Sequence, residues 1–127
     1  AAWVKALDKP VPTLAAKLGV SATARAWPIG GPAPEEIAVA VAGCRAEGPG
    51  DAALIVAVLT GPGDLEAALA AGQAHGLRVW CVHGKGKAAP VGDATVRAAF
   101  RAAGWMDIKS SAVSDAFSAA LYRPPVR

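Results

Sequence analysis

The segment Ala52–Leu59, AALIVAVL, is the longest apolar run in this 127-residue chain. It has the length of a strand and is too short to cross a membrane as a helix, which takes roughly 18–20 apolar residues. A continuous apolar run with β-branched residues, bounded by glycine and proline, predicts a strand that is covered on both faces. The sequence RVWCVH, Arg78–His83, predicts a second strand of this kind. Two such strands favour the centre of a parallel sheet.

The rest of the chain alternates predicted helices with predicted strands. Residues 1–12 contain two prolines and are expected to form an irregular lead-in. The last two strands are separated by Ser114-Asp115-Ala116, a link so short that only antiparallel pairing is feasible. The other predicted elements are a short helix over Thr13–Leu18, a strand over Ala22–Ile29, a helix from Pro34 to about Arg45, a helix capped by Asp64 and ending at His75, a helix capped by Asp93 and ended by Gly104, and strands over Met106–Ser114 and Phe117–Tyr122.

This order of elements predicts an α/β fold. Strands that alternate with helices through short connections form a parallel sheet with right-handed crossovers. We therefore expect a three-layer, Rossmann-like open sheet of about five strands, mostly parallel, with an antiparallel hairpin at its C-terminal end. The length fits a single domain over residues 1–127.

Composition and charge exclude several classes of protein. The net charge is only +3, and the 13 basic residues are scattered except for Lys85 and Lys87. A nucleic-acid partner is not expected, because such proteins carry a basic face or stripe. Without a long apolar segment near the N-terminus, we expect a cytoplasmic protein with no membrane partner.

The two cysteines, Cys44 and Cys81, fit no metal-binding spacing and no redox motif. They are therefore expected to be buried core thiols, and no metal is expected.

From about Ala22 onward, the chain resembles the carboxyl half of class I S-adenosylmethionine-dependent methyltransferases. The resemblance is carried by LIVAVL, the helix DLEAALAAGQAHGL, the strand RVWCVHGKG, the phrase AGWMDIK at Ala103–Lys109 and the closing hairpin. The combination of WCVHGKG with AAGWMDIKSSAVSD is similar to a bacterial family of small Rossmann-like domains of unknown function. The resemblance covers the chain from about Ala22 onward and implies a Rossmann-like fold.

The elements with which such methyltransferases hold their cofactor are missing from this sequence. The resemblance implies a GxGxG-like loop after the first strand and an acidic residue at the end of the next one. Here the first strand is followed by Gly30-Gly31-Pro32, and the next helix leads directly into Ala52–Leu59. No cofactor is therefore expected, and methyl transfer is disfavoured.

The ends of the predicted strands indicate where a ligand would bind. Ligands of open α/β sheets lie beyond the carboxyl ends of the strands, and the ends of parallel strands share one rim. After His83, a flexible backbone with two lysines leads to the helix that starts near Asp93, an arrangement that is compatible with a small anionic ligand. The simpler interpretation is a mobile, solvated loop whose lysines provide solubility. The candidate ligand-binding residues are Gly30, Gly31, Thr60, Gly61, His83, Gly84, Lys85, Gly86 and Lys87.

No catalytic set is complete in the sequence. His83 stands where a general base often stands, but no matched carboxylate or nucleophile is near it in the sequence, so a rim or core-edge histidine with no catalytic role is the better explanation. The first hypothesis is therefore a non-catalytic Rossmann-like domain that acts by binding another protein or a second copy of itself. The alternative is a protein or enzyme that binds a nucleotide-like or anionic molecule at the rim. Trp3, an aromatic residue in the lead-in, would suit a partner surface.

Overall fold

The computed structural model describes residues 18–21, 23–30, 33–84, 92–114 and 116–125. The predicted lead-in, Trp3 and the predicted first helix up to residue 17 lie outside the described residues. So do Gly31, Lys85, Gly86 and Lys87. In chain order the elements are β1 (Ala26–Gly30), α1 (Glu35–Val41), a 3-10 turn (Pro49–Asp51), β2 (Leu54–Val58), α2 (Pro62–His75), β3 (Arg78–Gly84), α3 (Asp93–Ala102), β4 (Met106–Ala112) and β5 (Phe117–Arg123).

The described strands form one open mixed sheet in the order β1-β2-β3-β5-β4. β2 pairs in parallel with both β1 and β3. β5 lies between β3 and β4 and is antiparallel to both, with a bulge between Asp107 and Lys109 of β4. The α/β class, the five strands and the closing hairpin are confirmed. Because two of the four pairs are antiparallel, the sheet is described as mixed rather than mostly parallel.

Two hydrophobic cores lie on opposite faces of the sheet. Every residue of β2 is buried, as its unbroken apolar sequence predicts. Alternation along the strand points Ile55 and Ala57 to one core and Leu54, Val56 and Val58 to the other. We name the first the α2–α3 face, since Leu65, Val96 and Phe100 cover it, and the second the α1 face, since Leu18, Ile37 and Val41 cover it.

The first part of the sheet differs from the prediction in its limits. β1 begins at Ala26 rather than Ala22, because Ser21 and Ala24 bond to each other in a turn. It continues past Pro28, which an edge strand tolerates because one side of its backbone needs no partner. α1 ends at Val41 rather than near Arg45. The chain leaves the helix there so that Cys44 and Ala46 can hydrogen-bond to both backbone groups of Ala26, each at 2.8 Å.

Both acidic residues that were expected to cap helices lie inside the helices instead. α2 starts at Pro62 with Gly61 as its N-cap, so Asp64 belongs to the first turn. α3 starts at Asp93 itself, with Gly92 as its N-cap. Neither N-cap residue has a side chain, and a carboxylate in the first turn is still favoured by the helix dipole. The predicted ends of α2 and α3 are confirmed, because Gly76 and Gly104, which follow these helices, both have a positive φ.

Candidate functional site: a polar cleft at the end of β3

The carboxyl ends of β1, β2 and β3 share one edge of the sheet. The register aligns Gly30 with Val58 and Val58 with Val82. Gly30, Thr60 and His83 therefore all lie along this edge, each where its strand ends. The neighbourhoods of these three residues are nevertheless different.

Thr60 is engaged within its own turn. Its hydroxyl and its backbone N–H both donate to Oδ2 of Asp64, at 2.8 and 2.9 Å. The hydroxyl of Thr60 is the main reason why the pKa of Asp64 lies below its usual value of 3.8, and the Thr60 N–H adds to the effect. Gly61, the next candidate, has an extended backbone and is the N-cap of α2. The contacts between Thr60 and Asp64 therefore stabilise the start of α2, whose N-cap residue, Gly61, has no side chain.

Gly30 lines a different concavity from His83. It contributes to an apolar groove of about 490 Å³ between β1, β2 and α1, on the α1 face. Its φ of +97° lies in the left-handed region, and a Cβ here would collide with the carbonyl oxygen of Val58. The residue is glycine because of the close approach of β1 to β2.

His83 lies at the base of a polar cleft of about 400 Å³ on the α2–α3 face. Alternation along β3 places His83 on the same face as Val79 and Cys81. On α3, Val96 and Phe100 pack onto this face, while Asp93 and Arg97, four residues apart, both line the cleft. The His83 cleft is lined by His83 and Gly84 of β3, by Gly92, Asp93 and Arg97 at the start of α3, and by Ser110 and Ser118 of the hairpin.

The side chain of His83 is only 5% exposed. Its Nδ1 lies 3.2 Å from the carbonyl oxygen of Gly84, a contact that assigns the ring proton to Nδ1. The other nitrogen, Nε2, faces Asp93, whose Oδ1 is 3.7 Å away. That distance is longer than a hydrogen bond. A nearly buried imidazole therefore turns one nitrogen into the cleft with no hydrogen bond to it from the described residues.

Arg97 contributes a cation to the same cleft. Its guanidinium lies 3.3 Å from Oδ2 of Asp93, one helical turn earlier. Beneath it, Arg97 Nε and the Tyr122 hydroxyl are buried and have no hydrogen-bond partner among the described residues. The neighbouring Tyr122 hydroxyl, followed by the charge of Asp93, raises the pKa of Arg97.

Tyr122 is a neutral group at pH 7. Burial, with a further contribution from Cys81, raises its pKa to about 12 even though Arg97 acts in the opposite direction. Its hydroxyl therefore keeps its proton beneath Arg97. The ring stacks on Phe100 at a centroid separation of 4.5 Å, which holds α3 against β5.

The two cysteines differ in burial. Cys81 is fully buried, as expected, and burial raises the pKa of its thiol. Cys44 was also expected in the core but is partly exposed, because it follows the end of α1 in the segment beside β1. In the described part of the chain, no three His, Cys, Asp or Glu residues lie together as metal ligands would.

Several residues of the His83 cleft could not be identified from the sequence. The sequence predicted no functional role for Arg97 or Ser118, and it predicted Asp93 only as a helix cap. The spacing of Asp93 and Arg97 on the helix after the lysine-rich loop was the one available signal. Ser118 faces the cleft only because β5 inserts beside β3, where it pairs with His83. Ser110 reaches the same cleft because β4 pairs with β5, where Ser110 lies opposite Ala120.

No helix among the described residues is long and apolar enough to cross a lipid bilayer. Comparison of the chain with protein-family models, with curated proteins and with solved structures found no match.

Proposed function

We propose that this protein is a Rossmann-like domain that binds a small anionic, nucleotide-like molecule in the His83 cleft. The observation that carries the proposal is the nearly buried His83, whose Nε2 faces the cleft beside Arg97 and the first turn of α3. The Arg97 guanidinium and the N–H groups of a helix N-terminus are donors that suit an anion, and Nε2 of His83 becomes a donor when the ring carries a proton on both nitrogens. The order of parallel strands followed by an antiparallel hairpin supports the Rossmann-like assignment.

The sequence next to the cleft supports the same ligand class. Lys85 and Lys87 follow β3 directly and precede the start of α3. They would add positive charge near a cleft whose described lining includes one carboxylate, that of Asp93, and one guanidinium. Methyl transfer remains the disfavoured version, because the sequence lacks the glycine-rich cofactor loop.

A thermal-shift panel tests this proposal. We expect at least one of inorganic phosphate, ADP, S-adenosylmethionine and S-adenosylhomocysteine to raise the melting temperature. A compound at 100 times its dissociation constant should stabilise the protein by about 2.7 kcal/mol. Arg97→Gln should remove the shift, and Lys85→Ala with Lys87→Ala should reduce it.

Arg101→Gln is the matched control for this panel. Arg101 lies one turn further along α3 and pairs with Asp107 at 3.1 Å, away from the cleft. Its substitution should leave the shift intact. The proposal is wrong if no compound shifts the parent protein, or if Arg97→Gln and Arg101→Gln respond equally.

A second candidate function is self-association through β4, which is an edge strand of the sheet formed by the described residues. Met106 and Ile108 on this edge strand are 54% and 43% exposed. The opposite edge is less able to pair, because Ala26 already bonds to Cys44 and Ala46, and Pro28 has no N–H to offer. A second copy that adds its β4 to this edge would cover both apolar side chains.

Sedimentation velocity at micromolar concentration tests this second candidate. The parent chain should sediment as a dimer, and Ile108→Lys should sediment as a monomer. Val39→Lys places the same charge on an exposed apolar position of α1, far from β4, and should leave the dimer intact. A monomeric parent chain at all concentrations would rule out self-association.

A further inference from the structure

We infer that Asp93 sets the charge selectivity of the His83 cleft by competing with the ligand's anionic group for His83 and Arg97. The inference rests on the proposed function, since it names the residue that limits anion binding at that site. In the free protein, the Asp93 carboxylate takes the place that an anionic oxygen would take.

The first reason is the position of the carboxylate between the two groups. One oxygen lies 3.7 Å from His83 Nε2, and the other lies 3.3 Å from the Arg97 guanidinium. Both distances exceed the roughly 2.7–2.9 Å of a strong charge-assisted hydrogen bond. The side chain of Asp93 is also 49% exposed. A carboxylate held this loosely is readily displaced by an oxygen with better geometry.

The second reason is the start of α3. The first backbone bond of the helix runs from Val96 N–H to the Gly92 carbonyl, so the N–H groups before Val96 have no acceptor within the helix. Gly92, as N-cap, has no side-chain oxygen for them. His83 is the independent indication of a ligand, because its side chain is nearly buried while Nε2 opens into the same cleft without a hydrogen bond from the described residues.

The negative charge of Asp93 should weaken the binding of an anionic ligand. A phosphate group entering the cleft meets the negative charge of Asp93 a few ångströms away, and two like charges at that range repel. The repulsion grows with the charge of the ligand. Asp93 should therefore weaken the binding of a phosphate dianion more than that of a neutral molecule of similar size.

Isothermal titration of the full chain with inorganic phosphate and with ADP tests the inference. Asp93→Asn keeps the size of the side chain and removes its charge, so both probes should bind about tenfold more tightly. Glu36→Gln is the control, because it makes the same change in net charge on α1, on the other face of the sheet. It should leave both affinities unchanged. If Asp93→Asn does not fold, Asp93→Ser gives the same comparison.

The outcomes separate this inference from the proposed function. Unchanged or weaker binding by Asp93→Asn, with Arg97→Gln still abolishing binding, would overturn the inference and leave the proposed function standing. Weaker binding would mean that Asp93 accepts a hydrogen bond from the ligand. Binding by Asp93→Asn alone, with none by the parent chain, would support the competition by Asp93 but contradict the proposed function, because the cleft of the parent chain would then exclude these anions. If neither protein binds either probe, both ideas fail.

Discussion

At the scale of single residues, backbone geometry and burial decide what a side chain can do. His83 shows the effect of burial, because its place at the end of a strand is visible in the sequence but its 5% exposure is not. Thr60 shows the effect of a local partner, because Asp64 engages its hydroxyl. Residues with similar positions along the rim therefore have different chemistry available to them.

Gly30→Ala should destabilise the fold by about 2 kcal/mol or more. A Cβ at a φ of +97° is strained and would meet the carbonyl oxygen of Val58, so β1 would have to move away from β2. Urea-induced unfolding measures the loss. Gly43→Ala is the control, since Gly43 has no positive φ and open space at its Cβ position, and it should be neutral or slightly stabilising. Equal stability of the two variants would contradict the strain assigned to Gly30.

At the scale of elements, the helices obtain their start signals from different sources. α2 has a glycine N-cap, and Asp64 in its first turn reaches back to the Thr60 N–H and hydroxyl. α3 also has a glycine N-cap, but its first acidic residue faces His83 and Arg97. The same pattern of glycine followed by an acid therefore stabilises a turn in one helix and lines a cleft in the other.

The contribution of Asp64 should depend on pH. Its pKa in the folded protein is lowered by Thr60, so the charged form is favoured by folding. The resulting stability is present above the unfolded pKa and is lost as the pH falls through the folded pKa. Asp64→Asn should be less stable than the parent at neutral pH, and the difference should shrink between about pH 5 and about pH 2. Urea unfolding across this range measures it.

Thr60→Val gives the matched comparison for that pH series. It removes the hydroxyl that is the largest cause of the shift and keeps the carboxylate of Asp64. Its pH dependence should lie between that of the parent and that of Asp64→Asn. A constant difference between parent and Asp64→Asn at every pH would show that the Thr60 contacts do not favour the charged form.

At the scale of the whole molecule, the central strand β3 connects the two faces of the sheet. Its residues alternate between the cores, with Cys81 in the α2–α3 face and Trp80 in the α1 face. The Trp80 indole N–H donates to the Leu18 carbonyl at 2.8 Å, across 62 positions of sequence and with both residues buried. This bond fixes the first described segment against the middle of the sheet.

Trp80→Phe should therefore cost about 1–3 kcal/mol of folding free energy, because the buried carbonyl of Leu18 loses its donor. Chemical unfolding monitored by far-ultraviolet circular dichroism measures the loss. Trp27→Phe is the control, since Trp27 is only partly buried and has an edge contact with His75 at 5.9 Å. A smaller effect at Trp80 than at Trp27 would contradict the role assigned to the bond.

The sequence by itself determined the elements whose information is local. The unbroken apolar runs at 52–59 and 79–82 predict buried strands because both faces of each strand meet a core, and the short link after Ser114 allows only a hairpin. Glycines at 76 and 104 predict helix ends because they accept a left-handed backbone. These features depend on residues that are neighbours along the chain.

Only the tertiary structure decided the composition of the His83 cleft and the equal number of parallel and antiparallel strand pairs in the sheet. Both depend on β5 inserting between β3 and β4, which brings Ser118 beside His83. The packing of α3 over that face then places Asp93 and Arg97 around the imidazole. Sequence periodicity shows that a segment has an apolar face, but the choice of which other segment covers it is made by long-range packing that no local pattern encodes.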